Sequence, residues 1–256
     1  MTPLPRIMVA PNGARLTQAD HPALPVTIPQ IVQCAVDCVA AGADGLHAHV
    51  RDAEQRHVLD AGLYTELLAE LDTALPGLFA QITTEAVGRY TPAEQRALVY
   101  AVQPKAVSVA VREMCAGEAE ADLRRFYHHC AEAGTAVQHI LYDLADILAL
   151  AAQIRAGVIP PDALQALIVL GRYSAGQVSA PSDLDAPLAA LLATFPEVDW
   201  AVCAFGGQET ACLSAAIRKG GKARIGFENN RLNTDLGLAT SNAERVSELI
   251  ATLAQP

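Results

Sequence analysis

The chain has few charged or aromatic residues and no long apolar run. Of its 256 residues, 18% are charged and 5% are aromatic. Residues 1–9 lack the apolar core of a secretory signal, and apolar stretches such as residues 147–152 are far too short to span a bilayer. We therefore predict a cytoplasmic protein without a membrane partner. The low charge content also hints at an oligomer whose subunits cover part of one another's surface.

A basic stripe and a cysteine framework are missing too. Lysine and arginine total 18 against 28 acidic residues, a formal net charge of −10, which argues against a nucleic-acid partner. The six cysteines form no CxxC pair, so we expect reduced thiols. Cys34 and Cys38 lie four apart on a predicted helix, and we expect buried small side chains there rather than a metal pair.

Short β-rich runs alternate with longer Ala/Leu-rich runs along the whole chain. The predicted strands are residues 6–10, 45–50, 78–84, 106–110, 136–142, 166–171, 199–204 and 223–227. Each is followed by a predicted helix, so the pattern predicts an α/β protein, a single (β/α)₈ TIM-barrel catalytic domain over residues 1–256. The alternative is an open doubly wound sheet, but residues 11–15 after the first strand contain no GxGxxG.

His47 and His49 are the sharpest feature of the sequence. They lie two apart on a predicted strand, so both imidazoles face the same side. Zinc binds imidazole nitrogen readily, and a catalytic zinc commonly has three protein ligands plus water. The alternative is two hydrogen-bonded histidines in a barrel interior, but two uncompensated polar rings in such a core would be costly. The pair therefore predicts a metal site, with zinc preferred over other divalent ions.

A third ligand should come from a neighbouring strand end. In a closed barrel, strand eight pairs with strand one, which adjoins strand two. Glu228 lies at the carboxyl end of predicted strand eight, the catalytic face of this fold, and Arg224 lies four residues earlier. By itself Glu228 would be interpreted as a helix cap or a salt-bridge partner, but beside two histidines it is the candidate third ligand.

Four stretches of the chain resemble the β-keto acid cleavage enzyme family: residues 10–15, 21–27, 41–52 and 224–229. The resemblance implies a zinc-dependent barrel that forms a homo-oligomer, a dimer or tetramer. It also implies a reaction in which a β-keto acid and acetyl-CoA, as co-substrate, yield acetoacetate and a new acyl-CoA. By position, His47, His49 and Glu228 match the metal ligands of the family. Arg224 matches the arginine that supports its catalytic base.

Asn229 stands where the family has an aspartate as the base. An amide has no basic lone pair near neutral pH, so another group must take the proton if the reaction is retained. The candidates are Glu85, where the family more often has glycine, Glu113 after strand four and Asp143 after strand five. Burial would raise the pKa of such a carboxyl toward the working pH. For each, a salt bridge or a helix cap is the alternative.

Substrate contacts are expected at the same end of the barrel. Arg224 and Arg51 are candidates to neutralise a carboxylate or an oxyanion. Thr83, Thr84 and Ser108 lie at strand ends and are candidate hydrogen-bond donors to a substrate carboxylate, with local backbone capping as the alternative.

Two glycine-containing loops follow strands six and seven. They contain Arg172, and Gly206 with Gly207, and such loops with helix N-termini often hold phosphates in this fold, here the diphosphate of CoA.

Two other functions stay open. A metal-dependent barrel hydrolase also uses an HxH pair, but usually on strand one, with further histidines on strands five and six. In this chain only His139, on predicted strand five, matches those further histidines. An inactive relative that binds CoA or a keto acid would be consistent with Asn229.

Overall fold

The computed structural model describes residues 2–255. Within that range, eight parallel strands close into a barrel in sequence order. The strands are β1 Ile7–Val9, β2 Gly45–Ala48, β3 Phe79–Thr83, β4 Ala106–Ala110, β5 Ala136–Leu141, β6 Gln165–Leu170, β7 Asp199–Ala204 and β8 Lys222–Ile225. The predicted (β/α)₈ barrel is confirmed, and the open doubly wound sheet is wrong.

Helices connect the strands on the outside of the barrel. They are α1 Ile28–Ala40, α2 Ala61–Ala74, α3 Pro92–Val102, α4 Val111–Met114, α5 Glu120–Ala133, α6 Leu144–Arg155, α7 Asp185–Thr194, α8 Glu209–Arg218 and α9 Asn242–Leu253, with a 3₁₀ turn at Pro181–Leu184. Thr27 and Thr91 each begin a helix through a capping box, and Asp60, Asp143 and Ser241 each accept a hydrogen bond from an amide of the first turn. Among the helices of residues 2–255, none is both long and apolar enough to cross a membrane.

The apolar core has two layers. The larger lies between the strands and the helices, and a smaller cluster that includes Met8, Ile140, Leu167 and Val169 fills the inside of the barrel. Burial of this kind stabilises the fold by about 25 cal/mol per Å² of apolar surface.

Strand β1 lies between the two strands that carry the candidate metal ligands. Val9 pairs with Leu46 of β2 on one side and with Ile225 of β8 on the other. Because parallel strands end at the same rim, residues that follow Leu46 and Ile225 are brought together there.

Strand β8 ends two residues before the predicted position. Gly226 has φ +138°, and a Cβ at that position would lie 2.5 Å from the carbonyl oxygen of Ala10. The chain therefore leaves the strand and turns, with the Asn229 amide donating to the Gly226 carbonyl at 2.9 Å. Glu228 lies in this turn rather than on the strand.

Candidate metal centre and active-site cavity

Three buried atoms that could bind a metal converge at the carboxyl end of the barrel. The Nε2 atoms of His47 and His49 are 3.2 Å apart, and each is 3.5 Å from Oε2 of Glu228. Donor atoms around a tetrahedral zinc with bonds of about 2.0–2.1 Å lie about 3.3–3.4 Å from one another. These three separations fit such an ion, so these residues could hold a metal. Barrel closure, with β1 paired to β2 on one side and to β8 on the other, thus brings all three residues together.

The protonation states of His47, His49 and Glu228 favour the binding of a cation. Burial, together with the charge of Arg224, lowers the pKa of His47 to about 4, and burial holds the pKa of His49 well below its usual range. Burial alone would raise the pKa of Glu228, but Arg224 and the two imidazoles hold it well below its usual range. Glu228 Oε2 meets no hydrogen-bond donor in the part of the chain that the structure describes. Two neutral imidazoles and one carboxylate therefore present lone pairs to one point.

Arg224 fixes the other oxygen of Glu228. Its Nη2 donates to Oε1 at 2.9 Å, so the carboxylate turns Oε2 toward the histidines. Nε and Nη1 of Arg224 have no hydrogen-bond partner within residues 2–255. Since Arg224 lines the cavity, its guanidinium can meet an anionic group there.

The turn that carries Glu228 is held by buried polar groups behind it. Glu209 Oε1 accepts a hydrogen bond from the Gly226 amide at 3.2 Å, and Oδ1 of Asn242 accepts from the Phe227 amide at 2.9 Å. Glu209 in turn pairs with Arg245 at 3.0 Å, both side chains being fully buried. Burial raises the pKa of Glu209 to about 7, but the Gly226 amide and the Arg245 guanidinium both donate hydrogen bonds to its carboxylate.

A cavity opens above the three candidate metal ligands at the strand ends. Its charged and polar wall holds Arg15, Thr83, Glu85, Ser108, Glu113, Tyr142, Arg172 and Arg224, and its apolar wall includes Ala110, Ile140, Val169 and Phe205. A mixed wall of this kind suits a small ligand that has both polar and apolar groups.

Among the three carboxylates predicted as candidate bases, Glu85 has the surroundings that a base needs. Its side chain is 22% exposed in the cavity wall, and Arg15 Nη2 lies 3.4 Å from Oε1. Burial and the charge of Glu228 raise the pKa of Glu85 to about 7. Its carboxyl can therefore accept and return a proton near neutral pH.

The other carboxylates have structural partners. Glu113 also lines the cavity, but its Oε2 accepts from the Ala86 amide at 2.9 Å and from Gln95 at 3.2 Å. Asp143 caps helix α6, pairs with Arg112 at 2.6 Å and is 53% exposed. Asp143 lies outside this cavity and matches the cap alternative.

Asn229 is only 7% exposed and is not part of the cavity wall among the described residues. Neither its Nδ2 nor its Oδ1 has a hydrogen-bond partner within residues 2–255.

The predicted substrate-binding residues divide into two groups. Thr83, Ser108 and Arg172 line the cavity. Ser108 Oγ has no partner across the described chain, whereas Oγ1 of Thr83 accepts from the Glu85 amide at 3.0 Å. Arg172 lies over the Phe205 ring at 5.4 Å.

The other residues predicted to contact substrate do not line the cavity. Thr84 donates to the carbonyl of Ser108 at 3.0 Å, which is the backbone-capping alternative. Arg51 donates to the carbonyls of Asn12 and Gly13 and holds the loop after β1. Gly206 and Gly207 lie in the turn before α8 and do not line this cavity.

Some residues of the site were not predicted. Arg15 and Tyr142 line the cavity, and His57 contacts His49 through Nδ1 atoms 3.3 Å apart. Arg15 lies within a stretch that carries the family resemblance, which was a usable signal. His57 lies eight residues after His49 in a loop, and no spacing rule identifies it.

Known proteins similar to this chain identify its family. A family model described as beta-keto acid cleavage enzyme matches residues 6–255. The 3-oxoadipate:acetyl-CoA acetyltransferase of Cupriavidus necator is 26% identical over 250 residues, covering 96% of this chain and 87% of that protein. The 3-keto-5-aminohexanoate cleavage enzyme of Fusobacterium nucleatum is 26% identical over 258 residues, covering 95% and 89%.

Solved structures share the fold. The binary complex of ObcA with oxaloacetate matches with a TM-score of 0.73 at 16% identity, over 91% of this chain and 64% of that chain. This chain therefore spans less than two thirds of the length of ObcA, and the likeness shows the barrel alone.

Proposed function

This chain belongs to the β-keto acid cleavage enzyme family, and on that premise we propose that it converts a short β-keto acid and acetyl-CoA into acetoacetate and a new acyl-CoA. The names of the two relatives above, an acetyl-CoA acetyltransferase and a keto acid cleavage enzyme, support this class of reaction. The observation that carries the proposal is the triangle of donor atoms, 3.2, 3.5 and 3.5 Å apart, beside a cavity that contains a carboxyl group of raised pKa.

We propose that His47, His49 and Glu228 hold zinc, or another divalent cation. When bound, the cation supplies a Lewis acid that polarises a ketone and a carboxylate of the substrate. Arg224 keeps Glu228 ionised and oriented, and its free Nε and Nη1 can donate to an anionic oxygen. Ser108 Oγ can donate to the substrate carboxylate from the cavity wall.

The reaction begins with loss of a proton from the carbon between the ketone and the carboxylate, and we propose Glu85 as the acceptor. The carbanion attacks the carbonyl of the acetyl thioester and releases the CoA thiolate. The thiolate then attacks the original ketone carbon. The bond between that carbon and the carbon that had lost the proton breaks. The products are the new acyl-CoA and acetoacetate, whose carbon takes the proton back from Glu85.

The CoA carrier is proposed to lie along the rim formed by the loops after β6 and β7. Arg172 extends from the first loop over Phe205 and lines the cavity. Gly206, with φ +91°, and Gly207 precede helix α8 in the second loop. We propose that Arg172 and the amides of this turn receive the diphosphate.

A second candidate function rests on Asn229, which replaces the expected base. Such a chain could bind an acyl-CoA or a keto acid without turnover. The raised pKa of Glu85 in the cavity favours the enzyme over this alternative.

One assay separates these functions. The zinc-loaded full chain is incubated with acetyl-CoA and β-keto acids that differ in the group beyond the ketone, and acetoacetate is measured. Acetoacetate from any acid supports the proposal. Tight CoA binding without product would favour the binding relative, and hydrolysis of amides or lactones without CoA would favour a barrel hydrolase.

The metal site has its own test. His47→Ala should remove stoichiometric zinc, whereas the matched control His139→Ala changes a buried histidine on β5 and should retain it. Unchanged zinc content in His47→Ala would refute the metal centre.

A further inference from the structure

His49 meets a second histidine on its outer side. His57 is 3% exposed and lies in the loop after β2, with its Nδ1 3.3 Å from Nδ1 of His49. On its other edge, His57 Nε2 lies 3.0 Å from the backbone carbonyl of Glu85. The three groups form a chain from the inner metal face to the end of strand β3.

The backbone carbonyl sets the position of every proton in this chain. A carbonyl oxygen only accepts hydrogen bonds, so the proton of His57 is on Nε2. With its single proton on Nε2, the neutral ring has its lone pair on Nδ1, 3.3 Å from Nδ1 of His49. That lone pair must accept, so His49 carries its proton on Nδ1. The Nε2 lone pair of His49 is then free toward His47 and Glu228.

His47 has a corresponding partner on the opposite side. Its Nδ1 lies 2.8 Å from Oε1 of Gln81, and Nε2 of Gln81 donates to Oε1 of Gln138 at 3.1 Å. The amide of Gln81 therefore presents its oxygen to His47, which carries its proton on Nδ1. Both histidines consequently direct unprotonated Nε2 atoms to the same point.

We propose that His57 is a positioning residue that holds His49 in the tautomer with a free Nε2 and ties it to the backbone of Glu85. Which nitrogen of a histidine binds a metal is set by the hydrogen bond that the other nitrogen makes. Because the accepting carbonyl belongs to Glu85, the same link fixes the proposed proton acceptor relative to the metal ligands. This inference rests on the proposed metal site but requires no turnover to be tested.

The tautomers are measured directly in the full chain. Long-range ¹H–¹⁵N correlation spectra of ¹⁵N-histidine-labelled protein, zinc-loaded and zinc-depleted, report which ring nitrogen carries the proton. We expect the proton on Nδ1 of His49 and on Nε2 of His57 in both forms. A proton on Nε2 of His49 in the depleted chain would overturn the proposal.

Two variants of His57 separate positioning from mere packing. His57→Gln retains an oxygen that accepts from His49 and an NH₂ that donates to the Glu85 carbonyl, whereas His57→Phe retains neither. We expect the zinc Kd, measured by chelator competition, to rise about 10- to 100-fold in His57→Phe and to recover in His57→Gln. The d–d absorption of the Co²⁺ form should shift only in His57→Phe.

The control is His139→Phe, which changes a buried histidine whose Nδ1 has no partner across residues 2–255. Its zinc Kd should stay within twofold of the parent. Equal Kd values for His57→Phe and the parent, or equal losses in the Phe and Gln variants, would overturn the proposal. If His57→Phe does not fold, the tautomer spectra of the parent chain decide. Correct tautomers without any acetoacetate would instead count against the proposed function alone.

Discussion

Replacing Glu85 with glutamine removes the proposed proton acceptor while it preserves the shape of the side chain. The carboxyl has a pKa of about 7 because it is buried beside the charge of Glu228. A base with this pKa is half ionised at pH 7 and about one tenth ionised at pH 6. The parent enzyme should therefore lose about tenfold in kcat per pH unit on the acid side. A cation held by Glu228 would offset that charge, so the acid limb of the zinc form should lie at or below pH 7.

Loss of a general base lowers kcat by about 10²- to 10⁴-fold, a barrier increase of about 3–5 kcal/mol. Glu85→Gln should show this loss together with a flattened acid limb, measured as initial rates of acetoacetate formation from pH 5 to pH 9. Zinc content should be unchanged, because Glu85 does not touch the metal ligands through its carboxyl. These two readouts separate a lost base from a lost metal.

The matched control is Glu113→Gln, which changes a second carboxylate of the same cavity. Because Glu113 Oε2 already accepts from the Ala86 amide and from Gln95, its loss should lower kcat by less than about tenfold. The acid limb should persist but move to lower pH, because the charge of Glu113 contributes to the raised pKa of Glu85. The reasoning is refuted if Glu85→Gln keeps both the rate and the acid limb of the parent. A large gain in rate with a new acid limb in Asn229→Asp would instead place the limiting proton transfer at position 229.

Four further outcomes follow from the contacts described above. Removing zinc with a chelator should lower the free energy of unfolding, by about 4 kcal/mol where free zinc had been at 1,000 times its Kd, and identical urea curves with and without chelator would contradict a structural contribution of the metal. Arg245→Leu leaves Glu209 buried without its partner at 3.0 Å and should cost about 3–5 kcal/mol of unfolding free energy; a loss below about 1 kcal/mol would contradict this. Arg15→Gln removes a positive charge 3.4 Å from Glu85, so the pKa of Glu85 rises and the acid limb of kcat should move to higher pH, by less than about one unit because Arg15 is 56% exposed. An unmoved limb would show that Arg15 does not act on the base. Gly226→Ala places a Cβ against the carbonyl of Ala10, just after β1, at φ +138°, and should cost about 1–3 kcal/mol of unfolding free energy in urea while weakening zinc binding; a parent-like variant would contradict the expected strain.

The regular part of the molecule was predictable because local patterns and the fold agree. The helix start at Thr91 follows from side-chain capping, which depends on residues three apart. The pairing of His47 with His49 follows from the two-residue period of an extended chain. Glu228 could be added because closure of a barrel places β8 and β2 on either side of β1, although its position in a turn depends on the positive φ of Gly226.

The choice among carboxylates could not be made from the sequence. Glu85, Glu113 and Asp143 all follow strand ends, and their spacing does not distinguish them. They differ in the partners of their side chains. Glu85 faces the cavity beside Arg15, Glu113 accepts from a backbone amide, and Asp143 caps the first turn of α6 and pairs with Arg112. The link through His57 likewise joins residues from different loops. The oligomer and the cytoplasmic location stay predictions.

The loop after β1 contacts two of the candidate metal ligands, His49 and Glu228, although it supplies none of them. Asn12 Nδ2 donates to the carbonyl of His49 at 2.8 Å on one side of the loop. On the other side, a Cβ at Gly13 would lie 2.5 Å from Cγ of Glu228, and Gly13 also has φ +56°. Arg51 donates to the carbonyls of both loop residues and prevents the loop from moving away. A side chain at position 13 would therefore push Glu228 away from the histidines, which explains in physical terms why glycine follows Asn12 beside the proposed metal site.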